Sequence, residues 1–422
     1  MRQRLVYIFA IILLSVSVWA GTPSQIRVAV YPQDAKILLI DSQSKTNILK
    51  YRTYFPVMSS QEYTVVLSAK GYYTKTLKVK INKTKINIDE KLEKKWKGMT
   101  FVKELPVSGN PKSIMFLNDD LFIANAMTGF GFDLYSIKEM ARIKIVNDFS
   151  KQYCPISGFV ESMVDKEQNE FYVMQLYAYK WHVFDLTTLK YKQSFTAKGN
   201  WSKVISKSKK YLFFSNWLSK DIAVYDRFTK KFKQFIKVAG VPRGLAVTSD
   251  DMFLYVAIFD GSFIQKIDLS TLKVIKTITL SSGKGNARHL IIDEKHNVMY
   301  ISDMGKSQIF KFDLATDKVI SSVKVYTKPN NIVLSPDLST LFVACRGPNG
   351  PEGYTNKGIE FGRIYAVDTQ TMTVDNWVWG KNQPTGLDIS PDGKYLMMGN
   401  FLDNNIEVYQ INYAMLKTKE ED

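Results

Sequence analysis

The chain has 422 residues, enough for two or three domains, and its apolar (45%) and charged (23%) fractions are globular, which excludes wholesale disorder. Lys and Arg (57) outnumber Asp and Glu (40), for a formal net charge of +17. Three His and two Cys argue against a His- or Cys-rich metal enzyme and against a disulfide scaffold, so neither a metal nor a cofactor is expected.

The chain opens on Met1-Arg2-Gln3-Arg4, followed by an apolar run from Leu5 to Ala20. A basic start, a short apolar run and a small residue at its end are the parts of a secretory signal peptide, expected over 1–20. The run is short for a bilayer span. No Cys follows it for lipid attachment, so the protein is read as exported, to the periplasm or the cell surface. Cys154 and Cys345 lie far apart in the chain and are expected to be two buried free thiols.

Residues 24–95 form a first domain. Ile26–Tyr31, Ala35–Ile40, Tyr63–Ala69 and Thr76–Ile81 alternate apolar and polar residues as strands do, and Lys70-Gly71-Tyr72 marks a turn. Residues 21–100 carry 15 Lys and Arg against 6 Asp and Glu. So basic a module suggests peripheral contact with an anionic membrane surface or envelope polymer, whereas export argues against nucleic acid.

From residue 110 one pattern recurs: a Pro or small residue, a strand, a polar turn, a second strand, a loop, and a third strand ending in Asp. Residues 242–280 (PRGLAVTSDDMFLYVAIFDGSFIQKIDLSTLKVIKTITL) are the clearest copy. The residue after the leading position is Lys112, Ser157, Ser202, Arg243, Arg288, Asn330 and Thr385, at intervals of 45, 45, 41, 45, 42 and 55. Seven copies of about 43 residues with room for four strands each predict a seven-bladed β-propeller over 100–411. Asp185, Asp226, Asp268, Asp313 and Asp368 close the third strands, where an Asp side chain suits the tight turn that follows. The last copy supplies three strands, so residues 100–107 (TFVKELPV) are expected to complete it and close the ring. Residues 412–422 are left as a charged tail.

The turns SPDG (390–393) and SPDL (335–338), with LYVA (254–257) and IDLSTLKV (267–274), resemble YVTN-type propeller repeats of the lactonase-like group. PQDAKILLID (32–41) and EYTVVLSAKGYYTKTLKVKI (62–81) resemble a PEGA-type domain, a small β-sandwich found as a module on exported bacterial proteins. Together they imply an all-β protein, a small sandwich followed by a propeller. The propeller resemblance is silent on activity, since the group holds lactonases, redox subunits and binding proteins.

In such a ring the leading ends of the first strands and the loops after the second strands share one face. That rim gathers Lys112, Arg243, Arg288 and Arg346, with Asn125, Asn216, Trp217, His289, Asp303 and Asn400 beside them. Arg offers a planar two-pronged donor, which suits a carboxylate or phosphate. The sixth copy carries a long loop over 346–362, the mark of an elaborated binding face. No catalytic motif stands out. His289, Asp303 and Arg288 are the one His–acid–Arg grouping that the repeat alignment brings together. The leading expectation is a monomeric, non-catalytic envelope protein whose rim recognises an anionic small molecule, an envelope polymer or a protein partner. The alternatives are a lactonase-type hydrolase and a propeller subunit of a periplasmic redox complex.

Overall fold

The computed structural model describes residues 23–93, 98–149, 152, 155–358 and 360–417, so the signal segment and Cys154 lie outside the described residues. Two compact units divide the chain at Leu92 and Glu93.

The first unit has seven strands: β1 (Pro23–Tyr31), β2 (Lys36–Ile40), β3 (Thr46–Leu49), β4 (Tyr54–Met58), β5 (Glu62–Ser68), β6 (Lys75–Lys80) and β7 (Lys85–Lys91). They form two sheets, ordered β4-β1-β7 and β3-β2-β5-β6. Alternate residues of both sheets, among them Ile26, Val28, Ile37, Leu39, Val65 and Leu67, fill one apolar core. β3, β4 and β7 lie outside the strands that alternation predicts, because each buries at most one residue fully and so carries little apolar pattern.

The second unit is built from seven four-stranded antiparallel sheets, each a meander of consecutive strands. Their first strands are Pro111–Phe116, Phe159–Asp165, Ser202–Lys207, Pro242–Val247, Ala287–Asp293, Pro329–Leu334 and Pro384–Ile389. Each first strand lies against the next, and the seventh lies against the first. In the seventh sheet the fourth strand is Met99–Pro106, paired antiparallel with Asn405–Ile411. The first and last strands of this unit thus pair in one blade and cover each other's facing edges.

Turn chemistry repeats with the blades. Asp185 Oδ1 accepts from the backbone N–H of Thr187 (3.1 Å) and Thr188 (2.8 Å) and from the Thr188 hydroxyl (2.9 Å). Asp226, Asp268, Asp313 and Asp368 make the same kind of turn. Residues 412–416 depart from the tail reading. Asn412 caps a turn of helix over Tyr413–Leu416, and Leu416 is fully buried in one core with Met99. Gly98 permits this, because a Cβ there would stand 2.5 Å from Leu416 Cδ2.

Blades two and three are also tied by a buried ion pair. Arg227, 2% exposed, donates from Nε to Asp165 Oδ2 (2.6 Å) and from Nη2 to Asp165 Oδ1 and Glu167 Oε2 (2.8 Å). Its Nη1 donates to the carbonyls of Ser208 (3.3 Å) and Lys209 (3.2 Å).

The closing strand has a measurable consequence. A chain begun at Gly98 is expected to melt cooperatively, and one begun at Ser108 to lose that cooperativity. Deleting the strand bares the backbone groups of Asn405–Ile411 and uncovers the core under Met99 and Leu105. Equal thermal melting of the two chains, followed by circular dichroism, would mean that the ring is closed by other contacts.

Candidate functional site

Every first strand slips register against its second strand near its leading end. In blade one Asn125 faces Ser113 while Ala126 faces Pro111, leaving Lys112 without an opposite residue. The unpaired residue is Val160 in blade two, Lys203 in blade three, Arg288 in blade five and Thr385 in blade seven. In blades four and six the slip spans two residues, Arg243-Gly244 and Asn330-Asn331. Such a bulge takes the extra side chain out of the strict alternation of the pleat and re-aims it. Gly244 is required at its place, since a Cβ would stand 2.5 Å from the Arg288 carbonyl oxygen of the next blade.

Four of these bulges carry cations: Lys112, Lys203, Arg243 and Arg288. Arg346 joins them from the residue after the second strand of blade six, beside Cys345, which is a buried free thiol. The five form one electrostatic cluster. Burial first, and then Arg346, Arg288, Lys203 and Arg243, holds the Lys112 ammonium well below its ordinary pKa. Burial, then Arg243 and Arg288, lowers Lys203 to about 7. Burial and Arg243 lower Arg346 to about 10. Glu161, the residue after the blade-two bulge, is the carboxylate in this cluster. Burial pushes its carboxyl up, with Arg243, Arg288 and Lys112 pulling the other way.

The guanidiniums are withdrawn from water: Arg243 is 7%, Arg288 5% and Arg346 8% exposed. Arg288 Nε donates to Asn330 Oδ1. Among the described residues, Arg243 Nη1, Arg346 Nε and Nη2, Asn330 Nδ2 and both amide atoms of Gln383 have no hydrogen-bond partner. Buried donors are rarely left unpaired in a protein interior, because each costs about 1–3 kcal/mol. Aromatic faces meet part of the charge. Lys112 Nζ sits 4.7 Å from the Phe401 ring centre and 5.6 Å from that of Tyr354, over which the Arg346 guanidinium also lies, at 5.1 Å. Lys203 Nζ lies 4.9 Å from the Trp201 ring. Tyr354 belongs to the long sixth loop, which is pinned by a Lys357–Asp403 ion pair (2.8 Å) to the corresponding loop of blade seven.

The other expected rim residues serve the scaffold. Asn216 accepts from the Ser202 hydroxyl (2.6 Å) and donates to Asp221 (2.8 Å). Asn400 accepts from the Lys381 N–H (2.9 Å) and donates to Asn405 (2.9 Å), and Asn125 donates to Ser113 (2.8 Å). Asp303 is fully buried and accepts from Ser262 (2.6 Å) and from the backbone N–H of Asn286 (2.7 Å), Gly305 and Lys306. Asn216 and Asn125 tie neighbouring strands, with Asn125 Oδ1 left over among the described residues, whereas Asn400 and Asp303 hold loops to strands. Trp217 packs on Phe259 at 4.7 Å.

The His289–Asp303–Arg288 grouping does not form a catalytic set. His289 Nδ1 accepts from the Ile332 N–H (3.1 Å), bridging blades five and six. Burial, with Arg288 and Arg243, lowers the ring to about 3, so it is neutral with Nδ1 occupied. Asp303 is committed elsewhere.

Lys203, Glu161, Tyr354 and Phe401 were not singled out from the sequence. Blade three has Ser202 where blades one, four, six and seven have Pro, so counting with Trp201 as the leading residue falls one short of Lys203. The bulge register, not the leading residue, is the marker that aligns the site.

The fold is thus that of a seven-bladed β-propeller with a cationic cluster at the leading ends of its inner strands. The family model "Lactonase, 7-bladed beta-propeller" matches residues 260–421. The chain belongs to the family of Antigen Lp49 of Leptospira interrogans serogroup Icterohaemorrhagiae serovar copenhageni (strain Fiocruz L1-130). The two are 34% identical over 414 residues, 95% of this chain and 88% of the relative. The structure is similar to Kuenenia stuttgartiensis Hydrazine Synthase, with a TM-score of 0.52 and 16% identity over 60% of this chain and 77% of the other. At that identity the likeness concerns the fold alone.

Proposed function

We propose that this chain is an exported envelope protein whose propeller mouth recognises an anionic group without catalysis, on a small molecule, an envelope polymer or a protein partner. The observation that carries the reading is the unbalanced cluster: Lys112, Lys203, Arg243 and Arg288 interact with Glu161, Arg346 adds a fifth cation beside Arg243, and among the described residues Arg243 and Arg346 keep guanidinium nitrogens unpaired. Buried charge of one sign is costly, and an arriving anion relieves that cost. Export is supported by the basic start and apolar run of residues 1–20 and by the kinship with a protein named as an antigen of a pathogen. Among the described residues no helix is long and apolar enough to cross a membrane. The two-sheet first unit is read as a PEGA-like module, its Lys-rich surface suited to an anionic envelope surface.

Lactone hydrolysis fits less well, because the neutral His289 has no carboxylate partner and its Nδ1 is already used. Calorimetric titration of the purified protein with citrate is expected to show saturable binding that weakens with added salt. A panel of simple lactones is expected to hydrolyse no faster than in buffer. Turnover above buffer that disappears in Arg243→Gln/Arg288→Gln would overturn the binding-only reading in favour of an enzyme.

A further inference from the structure

We propose that the mouth takes a compact ligand carrying two or more negative charges on clustered oxyanion groups, of the polycarboxylate or polyphosphate kind, and discriminates against single carboxylates. This rests on the anion-binding reading above and specifies its ligand. Five cations stand against one carboxylate, so the cluster in its fully charged form holds four positive charges in excess. Among the described residues none of the five makes a salt bridge, although the same structure pairs buried Arg227 and Lys230 with carboxylates. Beside the fully charged cluster a monoanion would leave three charges unbalanced around guanidiniums that are withdrawn from water. The aromatic faces of Tyr354, Phe401 and Trp201 are neutral and soften the repulsion without offsetting it.

The unpaired donors point the same way. Arg243 and Arg346 present their free nitrogens from two different blades, four and six, an arrangement that suits an occupant with more than one oxyanion group. Asn330 Nδ2 and Gln383 Nε2 add neutral donors from blade six and from the residue before the blade-seven inner strand. The lowered proton affinities of Lys112 and Lys203 are how an empty site of this composition relieves its own repulsion.

The test compares acetate, citrate and pyrophosphate by calorimetry on the full exported chain at one fixed ionic strength. Citrate or pyrophosphate is expected to bind at least about 100-fold tighter than acetate, since each added charge-assisted contact is strong. If only one of the two does so, it assigns the oxyanion chemistry and supports the proposal. Arg346→Gln should lower the affinity for the favoured polyanion by about 10-fold or more, with melting of the ligand-free sample measured alongside. Should Arg346→Gln fail to fold, Lys203→Met replaces it with the same expectation. Acetate binding as tightly as both polyanions would overturn this proposal and leave the anion-binding reading standing. Binding of no anion would remove both. Unchanged polyanion affinity in a folded variant would overturn the multi-contact site.

Discussion

Replacing Arg243 and Arg288 together with Gln should cut citrate affinity about 100-fold or more while leaving the ligand-free protein as stable as before, or more so. The first half follows from losing two charge-assisted contacts worth roughly 1.5–3 kcal/mol each. The second half follows from the cluster itself. These guanidiniums are buried, depress the proton affinity of Lys203 and Lys112, and lack a salt bridge, so they raise the energy of the empty fold. Arg288 does hold Asn330, a contact that the Gln amide can still supply in part. A bracing role predicts the opposite pattern. If melting falls steeply while citrate affinity is kept, the Arg residues are struts between blades and the site lies elsewhere.

Arg227→Met should destabilise the protein by about 3–5 kcal/mol, the usual cost of leaving one partner of a buried ion pair behind. Asp165 has no exposure and would keep only Lys207, at 3.7 Å, and its turn contact with Gln168. The carbonyls of Ser208 and Lys209 would lose their shared donor as well. The loss also depends on pH. Burial alone would raise the Asp165 pKa, but the Arg227 hydrogen bonds, with the charge of Lys207, outweigh it and hold the carboxyl below its ordinary value. A carboxyl depressed in the folded state contributes stability above the unfolded pKa, about 4, and loses it as pH falls through the folded value. In Arg227→Met the carboxyl is buried without that help and protonates more readily. The gap between the two proteins should therefore narrow below about pH 4. Denaturant unfolding at pH 7 and at pH 3 measures both; a gap of the same size at the two pH values would show that Arg227 acts through packing alone.

Arg227 illustrates a limit of reading by repeat. It follows Asp226, a turn residue recognised from its place in the repeat, yet its partner Asp165 lies 62 positions away in the preceding blade. Nothing in either local stretch specifies the pairing. Lys203 illustrates another. It sits one residue beyond the marker position, and only the slipped ladder opposite Asn216 and Ser215 shows that it, and not Ser202, is the counterpart of Lys112 and Arg288.

What the sequence determined by itself was whatever repeats: the copies near 43 residues, their turn-forming Asp residues, and a spare strand before the first copy. These are local hydrogen-bonding and alternation rules, with the strand pattern written again in each of seven blades and the Asp turn in five of them. Lys112, Arg243 and Arg288 were legible for the same reason, as basic residues at equivalent places, and Arg346 as the residue that opens the long sixth loop. The tertiary structure alone decided that Asn216 ties neighbouring strands, that Asn400 and Asp303 brace loops, that Glu161 shares the cationic cluster, and that Tyr354 and Phe401 wall it. Those outcomes depend on bulge register and on contacts between blades. A one-residue slip of register changes which side chain leaves the sheet, and composition carries no record of it.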